Sequence, residues 1–187
     1  MKLYYTVASA QNDFQTKPSL SLGGYKSSTP LPNDVLGNLF SDISMYTVKN
    51  NFGNKYVGLI LVNEDLEEHV DVSFWFVYPT SCSSLFRVAL VDLAVGDDGI
   101  PYMEHIPDNN SKPLYATFNE VDGEANKINI GTLASGEMLG IWIERELKIE
   151  DIKQEQSSIY VVDPNDPYRY NEVELSKEDD IEINFEW

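Results

Sequence analysis

The chain has 187 residues, of which 42% are hydrophobic and 24% are charged. This length suits a single domain, and the composition excludes disorder throughout the chain. The formal net charge of −18 argues against direct binding to nucleic acid or anionic lipid, since both would repel the chain, and the single cysteine excludes an internal disulfide.

The first residues do not predict a targeting segment. Their apolar stretch is interrupted by Gln11, Asn12 and Asp13 before it reaches the ~7–15 residues of a signal peptide. No run in the chain approaches the ~18 apolar residues that a membrane span needs. We therefore expect no membrane association and no export directed by this sequence.

Strand patterns dominate the first half of the chain. Residues 56–62 form an apolar run of strand length, and residues 69–78 alternate between apolar and polar with a period of two. The polar residues 63–68 connect these two strands, so the pattern predicts an antiparallel hairpin. The apolar face of the second strand is predicted to hold Val70, Val72, Phe74 and Phe76.

Further strands are predicted downstream. Residues 85–91 form one strand, which is followed by the turn signal Gly96-Asp97-Asp98-Gly99. Residues 115–118 and 127–130 predict two short strands. Short strands separated by frequent turns are typical of two sheets packed face to face.

The last third of the chain continues this pattern. Residues 135–137 predict a turn into a strand over residues 138–145. The buried face of that strand is predicted to hold Leu139, Ile141 and Ile143. Residues 181–187 alternate cleanly and predict a half-buried closing strand.

Two segments fall outside the strand pattern. Residues 10–45 are rich in Ser, Gly, Pro and Asn but contain apolar side chains that need burial, which predicts an arm lying across its own domain or across a neighbour. Residues 157–177, centred on an Asp-Pro-Asn-Asp-Pro sequence, predict a loop excursion. One structural domain is therefore expected, divided into an N-terminal strand and arm (1–45), a sandwich core (46–156) and an acidic excursion with a closing strand (157–187).

Patterns for catalysis and metal binding are weak. Nucleophilic catalysis needs a nucleophile with a base in reach, but His69 follows an acidic turn and His105 lies between prolines, so both are expected to be structural or solvated. Cys82 lies in a polar loop without a neighbouring cation that would activate it. Asp97-Asp98 and residues 163–166 offer oxygen ligands for calcium, but turn chemistry alone explains both. We predict no catalytic residue, no metal and no cofactor.

Aromatic residues leave a second class of function open. The chain contains 11 Tyr, 8 Phe and 3 Trp residues, and exposed rings could stack on sugars in a carbohydrate-binding or host-adhesion sandwich. Trp75, Trp142 and Trp187 instead lie in strand patterns, which favours packing in the core or at an interface. An enzyme would need a cleft with converging titratable groups, which the sequence does not indicate.

Scattered segments of the chain resemble a tailed-bacteriophage virion protein family. Residues 22–32, which begin Leu-Gly-Gly-Tyr, and residues 38–44 resemble the opening of that family. Residues 56–63 look like its first core strand, and residues 131–145 look like its late turn and strand. The acidic, tyrosine-rich composition is also similar to virion proteins of crAss-like phages.

The resemblance implies an immunoglobulin-like antiparallel β-sandwich with an extended N-terminal arm and a C-terminal loop excursion. It further implies a neck or tail ring component, or as a variant a head-decoration protein, located in the virion and assembled in the host bacterial cytoplasm. The expected partners are further copies of the chain in a ring and other neck, tail or portal proteins. The predicted subunit interface consists of Leu22, Gly23, Gly24, Tyr25, Leu31, Phe40, Tyr160, Tyr168 and Tyr170.

Overall fold

The structure, a computed structural model, describes residues 1–11, 13–31, 39–40, 54–77, 84–121, 124–147 and 182–186. These residues contain short 3₁₀ turns at Pro18–Leu20 and Glu124–Asn126. Their strands are β1 (Lys2–Val7), β2 (Gly24–Pro30), β3 (Lys55–Val62), β4 (His69–Val77), β5 (Ser84–Val91), β6 (Ala94–Val95), β7 (Pro101–Met103), β8 (Asn119–Glu120), β9 (Ile128–Leu133), β10 (Met138–Leu147) and β11 (Glu182–Glu186).

The strands form two antiparallel sheets. The large sheet has the order β6-β7-β2-β1-β3-β10-β5-β8, and the small sheet has the order β11-β4-β9. Apolar side chains from both sheets, including Leu59, Phe74 and Ile141, meet in one buried cluster between them. The all-β, antiparallel, sandwich-like fold predicted from the sequence is therefore confirmed.

Strand β3 lies near the centre of the large sheet and is buried along its whole length. Leu59 and Leu61 face the cluster between the sheets. Ile60 and Val62 belong to a second apolar cluster on the opposite side of the large sheet, which we call the outer face. Because both faces are buried, β3 is a continuous apolar run over residues 56–62 instead of an alternating pattern.

The outer face is covered by residues 104–118, which we call the outer loop. Its side chains Ile106 and Phe118 pack in the outer cluster, and the ring of Phe118 lies 5.5 Å from the ring of Tyr56. The prediction of a strand at residues 115–118 is wrong. This segment crosses the face of the large sheet, where it cannot pair with the edge of a strand. Strand pairing begins only at Asn119, where the chain reaches the edge of β5.

The hairpin predicted from the strands at residues 56–62 and 69–78 is also wrong. Strand β3 pairs with β1 on one side and with β10 on the other, so neither edge is left for β4. Strand β4 pairs instead with β9 and β11 in the small sheet. The connection at residues 63–68 therefore crosses from one sheet to the other.

A bulge in β4 changes which of its side chains are buried. Asp71 has a φ of 56°, and the pairing of β4 with β9 shifts register on both sides of Val72. Val72, Phe74 and Phe76 are fully buried, as predicted. Val70 is 54% exposed, so its predicted place on the apolar face is wrong, because the bulge interrupts the alternation of side chains.

The remaining predictions concern turns, later strands and the arm. The predicted turns are confirmed at residues 96–99, between β6 and β7, and at residues 135–136, between β9 and β10. Strands β5, β9, β10 and β11 are confirmed with small changes in their bounds.

Part of the predicted arm is β2, which pairs with β1 and β7 inside the large sheet. The excursion at residues 157–177 lies outside the described residues.

Candidate functional site

The string Leu22-Gly23-Gly24-Tyr25 leads the chain from the outer face into β2. Gly23 and Gly24 have φ angles of 83° and 95°, a region that favours glycine. A Cβ atom at Gly23 would lie 1.8 Å from the carbonyl oxygen of Glu104, and one at Gly24 would lie 2.3 Å from that of Val7. The chain's own fold thus requires glycine at both positions.

Trp142 packs beneath this string. Its side chain is 1% exposed, and a Cβ atom at Gly58 in the neighbouring strand would lie 3.0 Å from its ring. The predicted core or interface position of this tryptophan is therefore confirmed as a core position. Its indole is not available to stack on a sugar.

Two buried hydroxyl groups fix the string to the sheet. Ser21 Oγ donates to the carbonyl oxygen of Gly58 at 2.6 Å and accepts a hydrogen bond from the backbone N–H of Thr6 at 2.8 Å. Thr6 Oγ1 in turn accepts from the backbone N–H of Gly23 at 2.9 Å. Buried polar groups are stabilising only when they are hydrogen-bonded in this way, so this network is structural.

Several predicted interface residues are covered by the chain itself. Gly23, Gly24, Leu31 and Phe40 are all buried. The ring of Phe40 lies 5.8 Å from that of Phe86 in the core between the sheets. Leu31 and Phe40 are thus buried within one copy of the chain. Their apolar character therefore does not require a neighbouring subunit to cover them.

The other predicted interface residues differ from these. Leu22 and Tyr25 are half-buried, and the Tyr25 ring lies 5.6 Å from the ring of Tyr102 on β7. Both keep part of their surface in solvent. Tyr160, Tyr168 and Tyr170 lie outside the described residues, and their role in an interface stays a prediction.

Glu144 forms a buried polar centre at the end of β10. Its carboxylate accepts hydrogen bonds from Asn54 Nδ2 at 2.6 Å, from the Tyr56 hydroxyl at 3.0 Å and from Arg87 at 3.1 Å. Burial, together with the hydrogen bond to Glu144, raises the pKa of Tyr56 to about 12. Every oxygen of this carboxylate therefore has a donor.

Arg87 extends this network to the surface. Its guanidinium forms ion pairs with Glu144 at 3.1 Å, with Glu146 at 2.5 Å and with Glu120 at 3.7 Å. The three carboxylates belong to β10 and β8, which flank Arg87 on β5. The arrangement joins three neighbouring strands and is explained by stability alone.

The two histidines lie in different parts of the fold. His69 Nε2 lies 2.7 Å from Asp65 Oδ2 at the crossing between the sheets, and His105 is exposed on the outer loop. Among the described residues, no group of three or more His, Cys, Asp or Glu side chains could hold a metal ion. Cys82 and residues 163–166, two of the predicted candidates, lie outside these residues.

Large apolar side chains are exposed at several turns and loops, a feature that was not predicted from the sequence. The most exposed are Leu66, Leu114 and Tyr115, at 96%, 79% and 86%. The others are Phe14, Leu20, Val70, Val95 and Ile100. Most stand within a few residues of Pro, Gly or Asp, and this combination of an apolar residue with turn formers could have indicated them.

The outer loop holds two of these side chains in a fixed position. The backbone N–H of Leu114 donates to both carboxylate oxygens of Glu104, at 2.9 and 3.1 Å. Asp108 Oδ1 accepts from the backbone N–H groups of Asn110 and Ser111 at 2.8 and 3.0 Å. Leu114 and Tyr115 are therefore exposed on a backbone that is already ordered.

Comparison with known proteins identifies no relative. No family model, no curated protein and no solved structure matches the chain. No helix long and apolar enough to cross a membrane occurs in the part of the chain that the structure describes.

Proposed function

We propose that the chain is a structural component of a bacteriophage virion, most specifically a neck or tail ring protein that assembles around the DNA channel. The observation that supports this role best is the set of large apolar side chains exposed on ordered turns and loops of a covered sandwich. Burying such side chains against a neighbour contributes about 25 cal/mol per Å² of apolar area. The sequence resemblance over residues 22–32 and 131–145 supports the phage context.

The scaffold suits an assembly role. The large sheet is covered on one face by the small sheet and on the other by the outer loop, so its shape is maintained by packing on both sides. Preordered contact segments lose little conformational entropy when they bind. A ring subunit benefits from both properties, because each copy has to present the same two surfaces.

The strong negative charge also fits a channel protein. A lumen lined by carboxylates repels the phosphates of passing DNA and keeps the DNA from adhering. This part of the proposal is tested by replacing lumen-facing Asp and Glu residues with Asn and Gln. Genome ejection is expected to become slower, and unchanged ejection would contradict an electrostatic role for the lumen.

The assembly itself is tested by measuring the native mass of the purified protein, alone and mixed with portal and tail proteins of its phage. The expected result is a closed oligomer whose mass is an integer multiple of the chain mass and which co-sediments with portal or tail particles. A protein that stays monomeric and joins neither fraction would overturn the proposal.

One observation favours a second candidate, a carbohydrate-binding or host-adhesion module. The ring of Tyr115 is 86% exposed on an ordered loop, which is a geometry suited to stacking on a sugar. A glycan array tests this candidate, with Tyr115→Ala as the matched variant. Binding that is lost in the variant would support adhesion, whereas an array without signals would remove it.

A further inference from the structure

The connection between β3 and β4 presents an apolar side chain on an ordered turn. Leu66 is 96% exposed there, so it contributes almost no buried area to the fold. The turn is held from inside, because Asn63 Nδ2 donates to the carbonyl of Glu67 at 2.9 Å and Asn63 Oδ1 accepts from the backbone N–H of Asp65 at 3.0 Å. From the neighbouring turn, Ser135 Oγ donates to the carbonyl of Asp65 at 2.7 Å.

A second apolar side chain is exposed four residues later. Val70 is 54% exposed although it belongs to β4. The bulge at Asp71, whose φ is 56°, interrupts the alternation that would have buried Val70. A positive φ is uncommon outside glycine, so the fold combines an unusual backbone conformation with the loss of a buried valine at this place.

The charges of the connection are partly compensated. Residues 64–71 contain five carboxylates and no Lys or Arg. Glu64 forms an ion pair with Lys2 at 2.8 Å. Asp65 lies 3.2 Å from the amino group of Met1 and 2.7 Å from His69 Nε2. Two of the five carboxylates therefore have partners of opposite charge.

The other three carboxylates are not compensated. Glu67, Glu68 and Asp71 are exposed, and they form no ion pair within the part of the chain that the structure describes. They lie next to Leu66 and Val70 in the sequence. Residues 66–71, which we call the acidic tip, thus combine two exposed aliphatic side chains with three uncompensated negative charges.

We infer that the acidic tip binds a neighbouring virion protein, different from this chain, by placing Leu66 and Val70 in an apolar pocket that is rimmed by Lys or Arg. The inference rests on the proposed assembly and names the surface that joins the subunit to the next component. Uncompensated carboxylates around an apolar contact select a basic partner. A second copy, with its own net charge of −18, and an anionic membrane are both poor counterparts, because they repel the tip.

Binding to the portal and tail proteins of the same phage tests the acidic tip, with dissociation constants measured by biolayer interferometry. Leu66→Thr is expected to raise the dissociation constant roughly 10-fold or more, because it removes most of the apolar contact of this side chain. Leu66→Met keeps an apolar side chain of similar volume and should bind within about 3-fold of the wild type. Sedimentation velocity and phosphatidylcholine vesicles report self-association and lipid binding of the same variants.

Charge reversal gives a second, independent test. Glu67→Lys is expected to raise the dissociation constant roughly 3- to 10-fold, and the difference from the wild type should shrink as salt is added. Asp97→Lys, in the turn between β6 and β7, is the matched control, since both variants replace −1 by +1 and change the net charge from −18 to −16. The control should bind nearly as the wild type does. Circular dichroism establishes that each variant is folded.

The outcomes separate this inference from the proposed function. Weaker binding of both Leu66→Thr and Glu67→Lys, with Leu66→Met and Asp97→Lys nearly unchanged, supports the acidic tip. If the wild type assembles and Leu66→Thr binds the portal or tail protein equally well, or if the assembled wild type binds neither protein, the inference is overturned and the ring stands. An effect of Leu66→Thr on self-association or vesicle binding alone also overturns it. A wild type that stays monomeric and binds neither protein overturns both.

Discussion

The side-chain amide of Asn63 donates a hydrogen bond of 2.9 Å to the backbone carbonyl of Leu133, a residue 70 positions away. The same amide donates to the carbonyl of Glu67, and Asn63 Oδ1 accepts from the backbone N–H of Asp65. Asn63 thus joins the crossing between the sheets to the end of β9. It is fully buried, and each of its polar side-chain atoms has a partner.

Asn63→Ala is expected to lower the free energy of unfolding by about 2–4 kcal/mol, because three hydrogen bonds of a buried side chain are lost. Urea denaturation measures this change. Ser135→Ala, which removes an exposed hydrogen bond to the Asp65 carbonyl in the same region, is the control and should cost less than about 1 kcal/mol. Equal effects of the two variants would contradict the central role of Asn63.

Gly23→Ala is expected to destabilise the protein by about 3 kcal/mol or more, because its Cβ atom would collide with the backbone of Glu104. Gly99→Ala is the matched control, since Gly99 has a φ of 75° but no atom within 4 Å of the added Cβ. The control should cost only the left-handed backbone conformation, about 1–2 kcal/mol. Thermal unfolding of both variants measures the difference, and a Gly23→Ala variant as stable as Gly99→Ala would refute the packing explanation.

Glu144→Ala is expected to lower the free energy of unfolding by about 3 kcal/mol, because it leaves Arg87 and the Tyr56 hydroxyl without their buried acceptor. A double-mutant cycle with Arg87→Ala separates the ion pair from the rest of the network. Its expected coupling energy is about 1–3 kcal/mol, favourable to the pair. A coupling energy near zero would show that Glu146 and Glu120 satisfy Arg87 without Glu144.

Tyr56 makes the fold sensitive to alkaline pH. Its pKa is raised from its ordinary value of 10.0 to about 12 by burial and by Glu144. Between these values the unfolded chain loses the phenolic proton and the folded chain keeps it, so the free energy of unfolding falls as pH rises.

Tyr56→Phe removes this proton. The variant should be about 1 kcal/mol less stable than the wild type at pH 8, because one hydrogen bond is lost. The gap should close at about pH 11 and reverse at pH 11.5, since only the wild type loses the roughly 2–3 kcal/mol that the raised pKa of Tyr56 represents. Denaturation at pH 8, 10 and 11.5 tests this, and a constant gap would contradict the raised pKa.

Local pattern predicts the strands of this chain much better than their partners. The apolar run at residues 56–62 identified β3, but its assignment to the large sheet depends on β1 and β10, which lie far away in sequence. Alternation placed Val72, Phe74 and Phe76 correctly and failed at Val70, because the left-handed Asp71 has no signature in a pattern of apolar and polar residues.

The predicted interface shows a similar limit. The apolar character of Leu31 and Phe40 correctly indicated a need for burial, but a single sequence does not specify which surface provides it. The structure shows that the chain itself does. The exposure of Val95 and Ile100 was not predicted, because apolar residues beside a turn have no local signature that tells whether another part of the chain covers them.

The central place of β3 has a consequence for biosynthesis. Val62 pairs with Met138, 76 residues later, so a ribosome needs roughly 4–15 s to deliver the second neighbour of β3. Throughout this interval a nearly uncharged, β-prone segment has one open edge, and such segments seed aggregates. Nascent or prematurely terminated chains that end before Met138 should therefore depend on chaperones or precipitate.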